Sequence, residues 1–382
     1  MGRSKVPILM LPMSLDIGGA ETHVVGLAKS MRARGWPVYV ASFGGRRVKD
    51  LEKAGIPHLF APLNSRSPLE IFRAYRIVTR IVEEYSIGIV HAHARIPAFI
   101  AEKICSVKQI PLVTTYHWTF KAGFPWTFFS KQGDLAIAVS QDIKDYIIKE
   151  FGFDPRRVVV IPNGIDLDVF SPEAPAGCRE REAMGIPENA GPIVLYVSRL
   201  QGDLTGAALV AQDAILSLAR KYPGILLLIA GDGEGLKEVK RKALEINRAT
   251  GRETVRCLGF VLDTPPVYRV SDVVIGMSRV ALEAMAVGKP AIIFGPGGVF
   301  GPVTADLVPA LEERNYTSRN APLPPAPDIL KDQIDSLLSD PSRCHSLGLF
   351  GRNLVKERHS MDIVARDTET AYFQALDLAA RR

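Results

Sequence analysis

The fold can be predicted from one stretch of this sequence, Gly276-Met277-Ser278-Arg279-Val280-Ala281-Leu282-Glu283-Ala284-Met285-Ala286-Val287-Gly288-Lys289-Pro290. An apolar run, Val273 to Ile275, precedes the stretch, and the strand-like segment Ala291 to Phe294 follows it. The residues between them have a helix-forming pattern, carry one acid, Glu283, and end at a glycine and a proline. A strand, a glycine turn, a helix and a second strand are how α/β proteins present backbone N–H groups and the positive end of a helix to a phosphate. A purely structural βαβ connection has the same pattern, so this stretch alone leaves both interpretations open.

Length and composition indicate a soluble protein with two cores. A chain of 382 residues is longer than one hydrophobic core usually supports, which favours two domains. A content of 47% hydrophobic and 23% charged residues is typical of a well-packed globular protein. No apolar run approaches the ~20 residues of a membrane span, and the first apolar run lacks the cleavage pattern of a signal peptide. We therefore expect a cytoplasmic protein.

Cysteine spacing and net charge indicate which kinds of ligand the protein can bind. The four cysteines (Cys105, Cys178, Cys257 and Cys344) show no C-x-x-C or Cys/His ligand spacing, which predicts free thiols and no metal site. The net charge of +6 and the pI near 9.1 suggest anionic partners. Nucleotides, phospholipid head groups and nucleic acid all remain open, because composition cannot choose between them.

Strand-like and helical segments alternate along the first half of the chain. Strands are expected at Val6–Leu11, Val38–Ala41, His58–Leu63, Ile89–His91, Pro111–Thr115, Leu135–Val139 and Val158–Ile161. Helices are expected from Ala20 and at Leu69–Glu84, Ile96–Ser106 and Asp142–Phe151. Such alternation predicts a parallel sheet that is covered on both faces.

Ligands of such sheets collect at the carboxyl ends of the strands. The residues at these ends are Gly18-Gly19, 43–47, 91–95, 116–120, Ser140 and Asn163, and they form the predicted binding edge. We interpret His91 as structural, because it ends a strand, and Asn163 as a turn residue. The roles of His93 and Arg95 stay open.

The alternation restarts after a proline-rich segment, 171–189, which we interpret as a linker. Strands are expected at Ile193–Val197, Ile225–Ala230 and Val255–Leu258, helices at Thr205–Lys221 and Leu236–Thr250, and three final helices at Asp328–Leu338, Pro341–Glu357 and Met361–Leu378. A second α/β layer of this kind predicts a second domain, and a cleft between domains is the usual place for a ligand.

Several kinds of chemistry have no motif in this sequence. There is no G-x-S-x-G, no Walker lysine motif and no histidine cluster with zinc spacing. Gly18-Gly19-Ala20 does not supply the G-x-G-x-x-G of a dehydrogenase. Asp166-Leu167-Asp168 is formally a D-x-D metal motif, but after Asn163-Gly164 it is better interpreted as an Asx turn.

Five motifs in order resemble the retaining glycosyltransferases of family 4, the glycosyl transferases group 1, which have the GT-B fold. These motifs are Gly18-Gly19-Ala20-Glu21, Ile161-Pro162-Asn163-Gly164-Ile165-Asp166, Val197-Ser198-Arg199-Leu200, Ala230-Gly231-Asp232-Gly233 and Leu282 to Pro290. The resemblance covers Val6 to Thr304 and, through a returning final helix, the whole chain. It implies two doubly wound, Rossmann-like parallel-sheet α/β domains that face each other across a cleft. The implied domains are 1–170 with 361–382 on the acceptor side and 171–360 on the donor side.

The resemblance also implies the roles of individual residues. Members use a nucleoside-diphosphate sugar of the UDP or GDP type as substrate, with the diphosphate at the start of the Gly276 helix (Gly276, Ser278, Arg279 and Val280). Glu283 matches the acid that binds the ribose, Arg199 the cation that neutralises the diphosphate, and His117 a histidine beside the donor sugar. The Gly18-Gly19 loop would close over the phosphates, and the base would lie near Gly231, Asp232 and Val261. We therefore expect His117, Arg199 and Glu283 to be the catalytic residues. No cofactor or metal is expected, because a helix dipole and an arginine can stabilise the leaving-group charge.

Two positions depart from the family pattern. The family usually has a glutamate at the position of Ile275 and a lysine at that of Thr205. Loss of one buried cation–phosphate contact, worth about 1.5–3 kcal/mol, would weaken binding by roughly ten- to a hundred-fold. Arg279 replaces an apolar residue and is a candidate to restore the charge. A catalytically weak or inactive nucleotide-binding homologue is therefore the alternative. A nucleotide-sugar 2-epimerase would need more acids and histidines, and a nucleic-acid role ranks last.

The acceptor is less clear from the sequence. The basic loop Phe43 to Lys49 could hold an anionic acceptor or be solvated. The aromatic run Tyr116 to Phe129 could touch a bilayer, cover a lipid-linked acceptor, or pack under its own loop. The sequence therefore predicts a metal-independent transferase whose acceptor is a polysaccharide, a lipid-linked sugar or a small molecule. We expect a role in cell-envelope polysaccharide synthesis, in the cytoplasm, with peripheral contact at the inner face of the membrane.

Overall fold

A computed structural model describes residues 4–16, 18–172, 177–187 and 190–381. Part of the expected linker, residues 173–176 and 188–189, and the side chain of Cys178 lie outside the described residues. The chain divides into two compact units, Met1–Gly164 with Ser360–Arg382 and Ile165–His359. Each unit contains one parallel-type sheet with helices on its faces, as the sequence predicts.

The elements follow each other in regular alternation. The strands are β1 Ile8–Leu11, β2 Val38–Ser42, β3 His58–Phe60, β4 Ile89–Ala92, β5 Leu112–Tyr116, β6 Leu135–Ala138, β7 Val158–Val160, β8 Ile193–Val197, β9 Leu226–Ala230, β10 Val255–Gly259, β11 Val273–Gly276, β12 Ala291–Gly295 and β13 Gly298–Pro302. The helices are α1 Gly19–Ala33, α2 Val48–Lys53, α3 Pro68–Glu84, α4 Arg95–Lys108, α5 Trp126–Phe129, α6 Gln141–Phe151, α7 Gly177–Ala183, α8 Asp203–Leu218, α9 Leu236–Thr250, α10 Pro265–Val270, α11 Arg279–Ala286, α12 Val308–Glu313, α13 Pro327–Leu338, α14 Pro341–Leu354 and α15 Met361–Ala379. Among the described helices, none is both long enough and apolar enough to cross a membrane.

The first unit has a parallel sheet whose described strands lie in the order β3-β2-β1-β4-β5-β6-β7. Its inner strand β1 is a continuous apolar run that is buried on both faces, which is typical of parallel sheets. Because side chains alternate along a strand, Ile8 and Met10 pack in one core layer with α1 and α15, and Leu9 packs in the other layer with α3 and α4. The C-terminal helix α15 is therefore part of the first unit. Glu369 on α15 accepts a hydrogen bond from Trp36 Nε1 at 2.8 Å, which links the helix to the rest of this unit.

The second unit has the strand order β10-β9-β8-β11-β12-β13 among its described residues. All neighbouring strands are parallel except β13, which runs antiparallel to β12. The sequence analysis did not predict β13, because Gly298 and Gly301 interrupt it with positive φ angles of 128° and 94°. The core lies on both faces, with α8, α9 and α13 on one side and α10, α11 and α14 on the other.

The strand order reverses once in each sheet, and this determines where a ligand can bind. The reversal lies between β1 and β4 in the first unit and between β8 and β11 in the second. Loops on either side of such a point diverge to opposite faces and leave a crevice at the carboxyl edge of the sheet. The candidate sites are therefore the loops that follow these two pairs of strands.

Candidate functional site

The predicted phosphate-binding stretch forms a strand, a tight turn and the start of helix α11. Gly276 ends β11, and a Cβ added to it would lie 2.3 Å from Cγ1 of Val280. A glycine is therefore needed for the helix to start directly against the strand end. Ser278 has φ 54° and ψ −126°, and its backbone N–H donates to the carbonyl of Tyr316 at 2.7 Å. Asn315 Nδ2 donates to Ser278 Oγ at 3.2 Å, so the turn is held from a neighbouring segment.

Glu283 lies one turn into α11, and its carboxylate is oriented from two sides. The hydroxyl of Tyr268, on α10, donates to Oε2 at 2.9 Å. Arg279 Nη2 lies 3.0 Å from Oε1, and both side chains of this pair are only 11% and 12% exposed. Burial and the charge of Glu283 raise the pKa of Tyr268 well above its ordinary value, so this hydroxyl remains a donor. Each carboxylate oxygen has a second lone pair that can accept a hydroxyl of a ligand.

Arg199 occupies the loop that follows β8, the strand next to β11 in the sheet. Its side chain is exposed, and within the described ranges no hydrogen bond or ion pair engages it. A cation in this position is available to an anion. Because β8 and β11 flank the reversal of strand order, Arg199 and the start of α11 lie on the same edge of the sheet at its crevice.

The loops after β8, β9 and β10 are joined by backbone hydrogen bonds. The N–H of Leu200 donates to the carbonyl of Asp232 at 3.0 Å, and the N–H of Gly231 donates to that of Gly259 at 2.8 Å. A Cβ added to Gly231 would lie 1.9 Å from the carbonyl oxygen of Ser198, so only glycine fits. Val261, two residues after Gly259, packs partly buried against the core. The structure therefore places the predicted base-contacting residues on the strand ends beside Arg199.

The two departures from the family pattern occupy different environments. Ile275 is fully buried and packs with Tyr196 and Phe294 in the core layer under α8 and α13. Its position in the sheet therefore offers no room for a ligand. Thr205, near the start of α8, is 7% exposed, and its hydroxyl is buried with no hydrogen-bond partner in the described structure.

Gly18 is the N-cap of α1, which begins at Gly19 after β1 in the first unit. A Cβ added to Gly18 would lie 2.1 Å from Oε2 of Glu21, so a larger residue here would displace the end of that side chain. Thr22 Oγ1 donates to the Gly18 carbonyl at 3.0 Å and strengthens the first turn of α1. The preceding residue, Ile17, lies outside the described residues.

Four histidines lie close together at the carboxyl edge of the first sheet. His91 is fixed between the Tyr372 hydroxyl, 2.8 Å from Nδ1, and the Thr115 hydroxyl, 2.7 Å from Nε2. Both partners are hydroxyls, which can donate or accept, and together they hold the ring of His91 from its two nitrogens. Burial, helped by His117, lowers the pKa of His91 to about 3. The sequence prediction that His91 is structural agrees with these contacts.

His117 follows β5 and meets two of the other histidines. Its Nε2 lies 3.4 Å from Nδ1 of His93, and the ring of His23 packs edge-on at 5.2 Å between centroids. His93 Nε2 is buried and has no hydrogen-bond partner among the described atoms. Burial and the neighbouring imidazoles lower the pKa of His93 well below its ordinary value. His91 and His93 are therefore neutral near pH 7.

The sequence analysis missed this cluster. His23 lies on α1, and His93 and His117 follow different strands, so no local spacing joins them. The available signal was the strand-end rule itself, which placed 91–95 and 116–120 on one edge. No group of three or more His, Cys, Asp or Glu side chains in the described residues is arranged to hold a metal ion. Asp166 Oδ1 instead accepts the N–H of Asp168 at 3.1 Å, which confirms the predicted Asx turn.

Comparison with known proteins gives matches along most of the chain. The family model for Glycosyltransferase Family 4 matches residues 17–169, and that for Glycosyl transferases group 1 matches residues 191–318. The UDP-Gal:alpha-D-GlcNAc-diphosphoundecaprenol alpha-1,3-galactosyltransferase of Escherichia coli is 26% identical over 238 residues, which are 57% of this chain and 60% of that enzyme. A phosphatidylinositol N-acetylglucosaminyltransferase polypeptide of Arabidopsis thaliana is 24% identical over 96% of this chain and 81% of its own length.

Solved structures show the same fold. A glycosyltransferase from Rickettsia africae ESF-5 superposes with a TM-score of 0.79 at 21% identity, covering 98% of this chain and 99% of its own. Anabaena Alr3699/HepE in complex with UDP-glucose superposes with a TM-score of 0.72 at 22% identity, covering 96% of this chain and 99% of its own. At these identities the similarity establishes the fold.

Proposed function

Because this chain belongs to glycosyltransferase family 4, the glycosyl transferases group 1, and is a glycosyltransferase, we propose that it uses a nucleoside-diphosphate sugar of the UDP or GDP type. The proposed reaction retains the anomeric configuration and needs no metal ion. The donor binds at the carboxyl edge of the second unit. The observation that carries this proposal is the exposed Arg199 in the loop after β8, the strand that neighbours β11 in the sheet.

The diphosphate is the part of the donor that this edge suits best. The start of α11 carries the positive end of a helix dipole, and Arg199 adds a full charge without a protein partner among the described residues. Both would stabilise the negative charge that develops on the leaving diphosphate. Arg279, the first residue of α11, brings a second cation to this helix start, where it is paired with Glu283.

The nucleoside would be held by groups that the fold has already oriented. The Glu283 carboxylate, fixed by Tyr268 and Arg279, would accept hydrogen bonds from the two ribose hydroxyls. Gly231, Asp232 and Val261 would lie against the base. His117 of the first unit would lie beside the donor sugar, and the Gly18-Gly19 loop would cover the phosphates. The leaving diphosphate would take the proton of the acceptor, so no protein general base is required.

A lipid-linked sugar is the acceptor class that we favour. The names of two relatives refer to a diphosphoundecaprenol and a phosphatidylinositol substrate. An acceptor of this kind would place the protein at the cytoplasmic face of a membrane, without a spanning helix, in the synthesis of cell-envelope glycans.

The alternative is a homologue that binds nucleotide but transfers sugar slowly. Thr205, in place of a lysine, removes one cation from the diphosphate site, and Ile275 removes an acid from the donor-sugar site. Residues other than those used by most family members would then have to bind the donor sugar.

Calorimetric titration with UDP and GDP tests the proposal. We expect one of them to bind, and we expect Arg199→Ala to weaken it by roughly ten- to a hundred-fold, since a cation–phosphate contact is worth about 1.5–3 kcal/mol. Arg220→Ala removes an exposed arginine elsewhere in the second unit and should change nothing. No binding by either nucleotide, or an equal effect of both variants, would contradict the proposal.

Donor hydrolysis separates the two alternatives. Release of free sugar from a panel of UDP- and GDP-sugars, with the anomer identified by NMR in the presence of EDTA, would support a retaining, metal-independent enzyme. Nucleotide binding without hydrolysis or transfer would favour the slow homologue. An inverted anomer, or activity lost in EDTA, would refute that part of the proposal.

A further inference from the structure

Apolar side chains line an open groove on the surface of the first unit. The groove has a volume of about 620 Å³ and lies between the first half of α3, the middle of α4 and α5. Its apolar lining comes chiefly from Ile71, Phe72, Tyr75, Phe99, Phe128 and Phe129. This volume is in the range of about 300–1,000 Å³ that is usual for pockets that bind small molecules. We name it the α3–α5 groove.

The wall of the groove is a packed aromatic cluster. The ring of Phe99 lies 4.9 Å from that of Phe129 and 5.5 Å from that of Phe128, between centroids. The Lys131 ammonium lies 5.0 Å from the ring of Phe128 and 3.0 Å from a carboxylate oxygen of Glu102. The wall is therefore built from several mutual contacts, and it does not depend on a single loose side chain.

The groove leaves large apolar surface in contact with water. Phe72 is 59% exposed and Phe128 is 58% exposed, and the adjacent Leu69 is 73% exposed. At about 25 cal/mol for each Å² of apolar surface, covering such side chains favours binding. Exposed apolar side chains that line a groove are typical of ligand-binding surfaces.

The charge at the groove is positive and in part unpaired. Glu102 is the single acid among the lining residues, and it forms an ion pair with Lys131. Arg66 and Lys103 also line the groove, and for both the described part of the chain provides no ion pair. Arg66 stacks over the ring of Trp126 at 5.2 Å. Arg66 and Lys103 are therefore available to bind an anionic group, and the aromatic wall beside them favours contact with hydrocarbon.

We propose that the α3–α5 groove binds a lipid phosphate, with its hydrocarbon chain on the aromatic wall and its phosphate on Arg66 and Lys103. This rests on the proposed function, since the lipid phosphate would be that of a lipid-linked acceptor. A single amphiphile fits both observations at once, because an apolar peptide would leave the cations unpaired and a free phosphate would leave the aromatic rings exposed. The groove thereby selects acceptors with a hydrocarbon chain.

Farnesyl phosphate is a suitable probe, because it combines a branched hydrocarbon chain with one phosphate and is short enough to be used in solution. We expect calorimetric titration of the full chain to show binding, with farnesol and inorganic phosphate at least ten-fold weaker. Phe72→Ser with Phe128→Ser, and separately Arg66→Ala with Lys103→Ala, should each weaken binding at least ten-fold. Leu244→Ser, which changes an apolar side chain of the second unit that is 57% exposed, and Lys237→Ala should leave it unchanged.

Three results would overturn the proposal. The first is equal binding of farnesyl phosphate by the groove variants and the controls, or no binding at all. The second is binding only to vesicles of phosphatidylglycerol, which would mean that the surface docks on a bilayer. The third is a concentration-dependent dimer that the Phe72→Ser and Phe128→Ser variant abolishes, which would mean that a second copy covers the groove.

UDP and GDP titrations on the same samples distinguish the groove proposal from the proposed donor site. Nucleotide binding without farnesyl phosphate binding refutes the groove alone, and the reverse refutes the donor site alone.

Discussion

The hydroxyl of Tyr268 donates a hydrogen bond of 2.9 Å to Oε2 of Glu283, the single acid in helix α11. The two side chains come from different helices, and the phenol is completely buried. The hydrogen bond holds the carboxylate at the edge of the sheet in one orientation. In our proposal this orientation is what the ribose hydroxyls recognise.

Replacing Tyr268 tests whether this orientation matters for binding. We expect Tyr268→Phe to lower the affinity for the bound nucleotide several-fold and the free energy of unfolding by about 1 kcal/mol, the usual value of one hydrogen bond. Tyr222→Phe is a matched control, because the Tyr222 hydroxyl donates to Asp335 at 2.7 Å on another surface of the same unit. The control should lose similar stability and no affinity. Equal affinities of both variants in calorimetry would contradict the role of Tyr268.

Arg279 can act on the diphosphate directly or only through Glu283. We expect Arg279→Ala to weaken binding of the nucleoside diphosphate at least ten-fold and that of the nucleoside alone only slightly, because a cation acts chiefly on the phosphates. Arg241→Ala is the matched control, since Arg241 forms the same i,i+4 pair with Glu245, at 2.7 Å, on α9. Equal losses for nucleoside and diphosphate would mean that Arg279 only orients Glu283. An unchanged diphosphate affinity would refute both roles.

Ser278 holds a backbone conformation that costs energy for any residue with a side chain. At φ 54° and ψ −126°, a residue other than glycine pays of order 1–3 kcal/mol. We expect the free energy of unfolding of Ser278→Gly to lie within about 1 kcal/mol of the wild-type value. Relief of strain should offset the lost hydrogen bond from Asn315 and the greater freedom of the unfolded chain. The free energy of unfolding of Ser278→Val should be lower than that of the wild type by about 2 kcal/mol or more. The measurement is thermal unfolding, and a valine variant as stable as the wild type would show that the turn is unstrained.

Acid should destabilise the first unit through its neutral histidines. His91 has a pKa near 3 in the folded chain and about 6.5 when unfolded, so unfolding takes up a proton in the pH window between these values. Burial also lowers the pKa of His93 in the folded chain, so its protonation on unfolding likewise reduces stability in acid. Stability should therefore be complete above about pH 6.5 and fall on acidification, by up to about 1.4 kcal/mol per pH unit for each histidine. Partial burial raises the pKa of Glu369, but hydrogen bonds from Arg34, Trp36 and Lys5 bring it to about 2, so this carboxylate stays charged between pH 7.5 and 5.5.

The three tryptophans of the chain all lie in the first unit, so their fluorescence follows its unfolding. Urea denaturation at pH 7.5 and pH 5.5 should show a smaller free energy of unfolding at the lower pH. His91→Gln should be less stable than the wild type at pH 7.5 and lose less on acidification. His345→Gln, at an exposed position in α14, should behave like the wild type. A wild-type stability that does not change between the two pH values would contradict the prediction.

The fold was predictable because its signals are local. Strands such as Ile8–Leu11 are short apolar runs, and the helices between them carry apolar residues at helical spacing. Strand β13 was not predicted, because its glycines are typical of a turn and the strand forms only by pairing with β12. Local propensity is a weak guide where tertiary pairing decides.

The candidate site was predictable only in part. Gly276 and Glu283 follow from one continuous pattern, and the i,i+4 spacing of Arg279 and Glu283 is itself a signal for an ion pair. Tyr268 could not be found in this way, because it meets Glu283 through the packing of two helices. The same holds for His23, His93 and His117, which come together only when the sheet forms.

A crystal structure with the tighter of UDP and GDP bound tests the central claim most directly. The account predicts the diphosphate against the start of α11 with the Arg199 guanidinium in contact, and the ribose hydroxyls on Glu283. A nucleotide bound elsewhere on the chain, or an empty edge at millimolar nucleotide, would contradict it.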